Sequence, residues 1–92
     1  MNMLELVRLS LRVTHNALDE EIIELIESAK MDLFQSGISV EMTNEDSDPL
    51  IKRAIILYAK ANFGINNDDS EKYQKSYDSL KIHLSLAGDY NE

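Results

Sequence analysis

One proline (Pro49) and three glycines (Gly37, Gly64, Gly88) are the only strong backbone punctuation in 92 residues. A sandwich or barrel needs many more turn residues, so an all-β chain is disfavoured from the start. Between these marks, apolar residues recur every three or four positions, which is the helical period. The pattern predicts an all-α fold: a compact bundle of about four helices, in one domain over residues 1–92. A chain of this size buries roughly 64% of the surface its unfolded form exposes, enough for one modest core.

The first helix is predicted over 3–12, with Met3, Leu4, Val7 and Leu11 on one face. Leu9, Leu11 and Val13 also alternate with Ser10 and Arg12, so a short strand near Val13 is an alternative. The second helix is predicted over 17–36, with a stripe of Leu18, Ile22, Leu25, Ile26, Ala29 and Leu33. Thr14 or Asn16 can cap it, and Asp19, Glu20 and Glu21 suit the positive end of the helix dipole. Gly37 is placed to stop it in the left-handed conformation. A polar, acidic connection over 38–47 follows. Asp48-Pro49 reads as N-cap and first helical position of a third helix over 49–63, stopped by Gly64. The run from Asn66 to Ser70 is a turn cluster. The fourth helix spans 70–87 with Tyr73, Tyr77, Leu80, Leu84 and Ala87 on its stripe, and Gly88 as its end.

The net charge is −8, and one segment carries it. Residues 16–48 hold ten acids and one base (Lys30), while the remainder holds seven acids and eight bases. Such a segment repels phosphate and argues against sequence-specific DNA binding. It serves as a solvated face, or as a surface for docking or lining a channel. Glu20, Glu24 and Glu27 share one face of the second helix and are its candidate residues.

Each helix also has a second apolar patch away from its main stripe. These are Leu6 and Leu9, Ile23 and Phe34, Ile56 and Phe63, and Ile82 and Leu86. The third helix is apolar almost all round, broken only by Lys52, Arg53 and Lys60. A helix of that kind is central or covered by a partner, and four helices cannot all be central. The second patches are therefore candidate subunit or partner contacts.

Chemical motifs fail one by one. There is no cysteine, so no disulfide or thiolate metal site can form. His15 and His83 lack the i, i+4 spacing of a two-histidine metal site. Calcium loops started at Asn44 or Asn66 place the wrong residues at the sixth and twelfth positions. Asp78-Ser79-Leu80 echoes the carrier-protein signature, but it lies inside a helical pattern with only 13 residues after the serine. No nucleophile–base set and no glycine-rich phosphate loop occurs, so no enzyme, metal or cofactor is expected. The longest apolar run, 54–59, is far short of a membrane span. The start Met1-Asn2-Met3-Leu4-Glu5 has no basic stretch of a signal peptide.

An ordered set of segments runs through most of the chain. Leu11-Arg12-Val13 leads to Leu18-Asp19-Glu20-Glu21-Ile22-Ile23 and Leu25-Ile26-Glu27-Ser28-Ala29, ending near Gly37-Ile38. Asp48-Pro49-Leu50-Ile51-Lys52-Arg53-Ala54-Ile55-Ile56-Leu57-Tyr58 then leads into Phe63-Gly64. Tyr73-Gln74-Lys75-Ser76-Tyr77-Asp78-Ser79-Leu80, Leu84 and Tyr90 complete it. Over roughly residues 4–90 the chain resembles the small head–tail connector proteins of tailed bacteriophages, also called adaptor, head-completion or DNA-packaging proteins. The resemblance implies a helical subunit that forms a homo-oligomeric ring below the portal. It implies contacts with the portal protein and a tail-side completion protein, with DNA only as passing cargo and no membrane. It further implies a place at the head–tail junction of the virion, after synthesis in the host cytoplasm, and neither active site nor cofactor. An acidic channel wall would let DNA slide. The choice of Glu20, Glu24 and Glu27 for such a wall comes from the helical wheel and not from the family. The alternative is a small acidic regulatory binder, such as an antitoxin-like, anti-repressor or DNA-mimic protein.

Overall fold

Helix ends in this chain are set by local hydrogen bonds, and most fall where the punctuation places them. A computed structural model describes residues 2–64 and 68–91. Helix α1 is Met3–Ser10, α2 Asp19–Gln35, α3 Val40–Thr43, α4 Pro49–Asn62 and α5 Ser70–Leu86. A 3₁₀ turn at Gly88–Tyr90 follows. The fold is all-α, as predicted.

Helix α1 starts where the Asn2 side chain accepts the Glu5 N–H at 2.8 Å. It ends two residues before the predicted limit. Arg12 takes a left-handed φ of 60°. Its N–H then reaches the Leu9 carbonyl, and the Val13 N–H reaches that of Arg8, both at 3.0 Å. This pair of bonds is a Schellman closure. It consumes the backbone that a strand at Val13 would use, and no strand forms there. Glycine is the usual residue at the left-handed position, and a β-carbon there costs about 1–2 kcal/mol. Glycine's larger unfolded-state entropy offsets part of that gain. Arg12→Gly is therefore expected to stabilise the chain by about 0.5–1 kcal/mol and to raise Tm by about 2–8 °C in a thermal melt. A lower Tm would contradict this account of the closure.

Helix α2 begins later than predicted, and neither Thr14 nor Asn16 caps it. The cap position is Leu18, with no side-chain cap. The first turn is anchored from outside instead. Arg8 of α1 grips Asp19 with two parallel bonds, Nε to Oδ1 at 3.0 Å and Nη2 to Oδ2 at 2.7 Å. Gly37, with φ of 103°, stops α2 as expected. The Gly37 N–H reaches the Phe34 carbonyl at 3.0 Å, and the Ile38 N–H that of Leu33 at 3.3 Å.

The connection predicted to be polar contains α3, capped by Ser39, whose Oγ accepts the Met42 N–H at 3.2 Å. Two of its residues, Ile38 and Thr43, are buried. Asp48 caps α4 as predicted: its Oδ1 accepts the Leu50 and Ile51 N–H groups at 2.9 and 3.1 Å. Gly64 follows α4 with φ of 82°. Asn66 and Asn67 of the predicted turn cluster lie outside the described residues. Helix α5 ends at Ala87 in extended backbone, so Gly88 is not its left-handed stop. Gly88 opens the 3₁₀ turn that carries the chain back toward α3. There the Ser39 N–H bonds to the Tyr90 carbonyl at 2.7 Å, and Ile38 bridges to Asn91.

Helix α4 is the hub, packed against α5, α2 and α1. It buries Ile51, Ala54, Ile55 and Ala59 completely, together with Ile22, Ala29 and Leu33 of α2 and Val7 of α1. From α5 come Tyr77 and Leu84. The near-complete apolar ring read from the sequence thus has its explanation in a helix covered on three sides.

Candidate interaction surfaces

The acidic segment divides by residue type. Each of its four aspartates is engaged inside the fold. Asp19 holds Arg8, and Asp46 holds Lys30 at 3.2 Å. Asp32 accepts from the Tyr77 hydroxyl at 2.5 Å and from Lys81 Nζ at 3.1 Å. Asp48 caps α4 and also receives the Tyr90 hydroxyl at 2.9 Å. Burial first, then the bond to Asp32, pushes the Tyr77 phenol far above its ordinary range. Burial and the Asp48 bond raise that of Tyr90. Aspartate suits these roles, because a short side chain loses less rotamer entropy when fixed. The glutamates do the opposite. Glu20, Glu21, Glu24, Glu27, Glu41 and Glu45 are all exposed, and among the described residues none has a salt-bridge partner, although Glu45 accepts the Ser47 hydroxyl at 2.6 Å. The free negative surface is therefore a glutamate surface centred on α2.

The candidate apolar contacts also divide. Leu9, Ile23, Phe34, Ile82 and Leu86 are exposed. Leu6, Ile56 and Phe63 are half-buried and pack against the core, although each still lines a groove. The structure adds two residues that the wheel reading missed, Met31 and Val40, which are 56% and 52% exposed. Met31 carried a signal, since it lies three residues before Phe34 and eight after Ile23. Val40 carried none, because α3 was read as loop. Met31, Phe34 and Val40 line one groove with Glu27 and Lys30 between α2 and α3.

A second groove runs along α4. Lys52, Arg53, Ile56 and Lys60 line it, with Leu6 of α1 and Tyr73 of α5. Lys60 Nζ lies 5.3 Å from the centre of the Tyr73 ring. Helix α4 contains no acid, so this groove is the cationic counterpart of the glutamate surface.

Among the described residues, nothing in this geometry gathers catalytic groups. His15 and His83 are exposed on separate elements, and Ser79 is exposed inside α5. Among the described residues, no group of three or more histidines and acids could hold a metal ion. None of the described helices is long and apolar enough to cross a membrane. What the surface offers is extended, charged, partly apolar faces suited to other macromolecules.

The comparison with known proteins agrees with that character. The sequence pattern of the phage connector protein family matches residues 3–91. The chain belongs to the phage connector protein family. No curated protein and no solved structure matches the connector. The family match spans every helix described above, from α1 to the 3₁₀ turn after α5. Membership makes the connector a virion component with a structural part to play. On that footing its exposed glutamates, cationic groove and apolar residues become candidate contacts with other virion components.

Proposed function

We infer that the connector is the repeating subunit of a ring at the head–tail junction, below the portal, extending the DNA channel and supporting tail attachment. The family match over residues 3–91 carries this reading. Two features support it. A chain of this size with eight exposed large hydrophobics among the described residues has more apolar surface than its own core consumes. Its exposed glutamates repel phosphate, which sets them against gripping DNA and suits them to basic protein surfaces. Expected partners are identical copies, the portal protein and a tail-side completion protein. The cationic groove on α4 works against a DNA-mimic role, because a mimic needs acid across its whole surface.

Light scattering and negative-stain microscopy test the ring, over a concentration series with and without the portal protein of the same phage. Self-association, or association on meeting the portal, into closed rings is expected. A subunit that stays monomeric at every concentration and ignores the portal would overturn the reading.

A further inference from the structure

Two helix faces in this chain complement one another in charge and length, yet they cannot meet within one copy. Helix α2 turns Ile22, Ile26, Ala29 and Leu33 inward. Its opposite face carries Ile23, Met31 and Phe34, which are 43%, 56% and 42% exposed, set among Glu20, Glu24 and Glu27. A wall for sliding DNA gains nothing from three exposed hydrophobics. A docking face needs them, because apolar anchors supply the energy and the charges around them supply register.

Helix α4 has the matching stripe. Its inward face is Ile51, Ala54 and Ile55. Pro49, Arg53, Ile56 and Lys60 follow one another at i, i+4, i+7 and i+11 on the other side, with Lys52 at the edge. Lys52 and Arg53 have no salt bridge among the described residues. From Glu20 to Phe34 the α2 stripe runs about 21 Å, and from Pro49 to Lys60 the α4 stripe runs about 17 Å. Because α2 and α4 pack through their inward faces, their outer stripes point away from each other in one chain.

We propose that the acidic, apolar outer stripe of α2 docks on the cationic outer stripe of α4 of a second copy, head to tail. The contact joins unlike surfaces, so each copy keeps one stripe free for the next, and a fixed rotation closes a ring. This rests on the ring reading and names the subunit faces that build it.

Charge exchange tests it. Glu20→Lys with Glu24→Lys puts bases on both stripes. Lys52→Glu with Arg53→Glu puts acids on both. Either pair is expected to raise the concentration needed for assembly by about 100-fold or more. Mixing the two variants, or combining all four changes in one chain, is expected to restore assembly. Circular dichroism checks folding. The absence of cysteine gives a second route that avoids charge reversal. Subunits with Ile23→Cys and Ile56→Cys should cross-link with each other on oxidation, but not each with itself. Reversed variants that form rings as readily as wild type, or cross-links between like positions, would overturn these faces and leave the ring standing. A wild-type chain that never assembles, alone or with portal, would remove the ring reading and this proposal together.

Discussion

Tyr77→Ala is expected to lower the melting temperature of the connector by about 15–30 °C. Tyr77 is fully buried, and its ring meets that of Tyr58 edge to face at a centroid distance of 5.3 Å. Deleting a buried aromatic side chain costs about 3–5 kcal/mol through lost burial and the cavity left behind. In a domain of this size each kcal/mol moves Tm by about 4–8 °C. Tyr77→Phe separates the hydroxyl from the ring. It keeps the packing and removes the bond to Asp32, a loss of about 1.5–3 kcal/mol for a bond to a charged acceptor. That contribution also depends on pH. Because the folded phenol is pushed up, the unfolded chain releases this proton first, above about pH 10. The unfolded state then binds fewer protons than the folded one, so stability falls as pH rises, by at most about 1.4 kcal/mol per unit. Urea unfolding at pH 8 and pH 11 should show the advantage of wild type over Tyr77→Phe shrinking at the higher pH. A constant gap would mean that the phenol is not held as described.

Asp48→Ala should cost about 2–3 kcal/mol, because one carboxylate performs two tasks. It caps the first turn of α4 through the N–H groups of Leu50 and Ile51. A lost aspartate cap costs typically about 1 kcal/mol. It also receives the Tyr90 hydroxyl, and a bond to a charged group adds about 1.5–3 kcal/mol when buried and less at a half-exposed site. Tyr90→Phe removes only the second task and should cost about 1 kcal/mol. The double variant should lose less than the two single losses combined, since both remove the same bond. Strict additivity in a double-mutant cycle measured by urea unfolding would show that Tyr90 and Asp48 do not act together.

Much of the fold was legible because its signals are local. Asp48-Pro49 and Gly37 sit within a few residues of the ends they set, and α2, α4 and α5 run close to their predicted spans, although α4 ends through Phe63 in extended backbone and not through Gly64. Where the reading departed from the structure, the deciding partner was distant or the element very short. Helix α2 needs no side-chain cap from Thr14 or Asn16 when Arg8 holds its first turn from the preceding helix. Four residues of α3 are too few to show a period. Arg12 imitates a glycine, which composition cannot announce. The acidic segment is the clearest case. Counting charge treats Asp32 and Glu27 alike, yet Asp32 bonds a hydroxyl 45 positions away while Glu27 faces solvent. The candidate surfaces were legible to the same degree. Helical spacing located Ile23, Phe34, Ile82 and Leu86, but only packing shows that Leu6, Ile56 and Phe63 are half inside. The cationic groove on α4 was visible as three interruptions in an apolar ring before it was visible as a surface.

The return of the chain after α5 couples two distant segments in time as well as in space. The Ser39 amide, the Ile38 bridge and the Asp48 carboxylate are all satisfied by residues 90 and 91. They cannot be satisfied until residues 90 and 91 have left the ribosome. Helices α1 and α2 can pair earlier, but the corner containing α3 must wait. In the finished protein the dependence runs both ways. Fraying of residues 90 and 91 exposes the Ser39 N–H, and opening of α3 frees that segment. Hydrogen exchange should therefore find the amides of Ser39 and Tyr90 opening as a unit, separately from the slower-exchanging amides of α4.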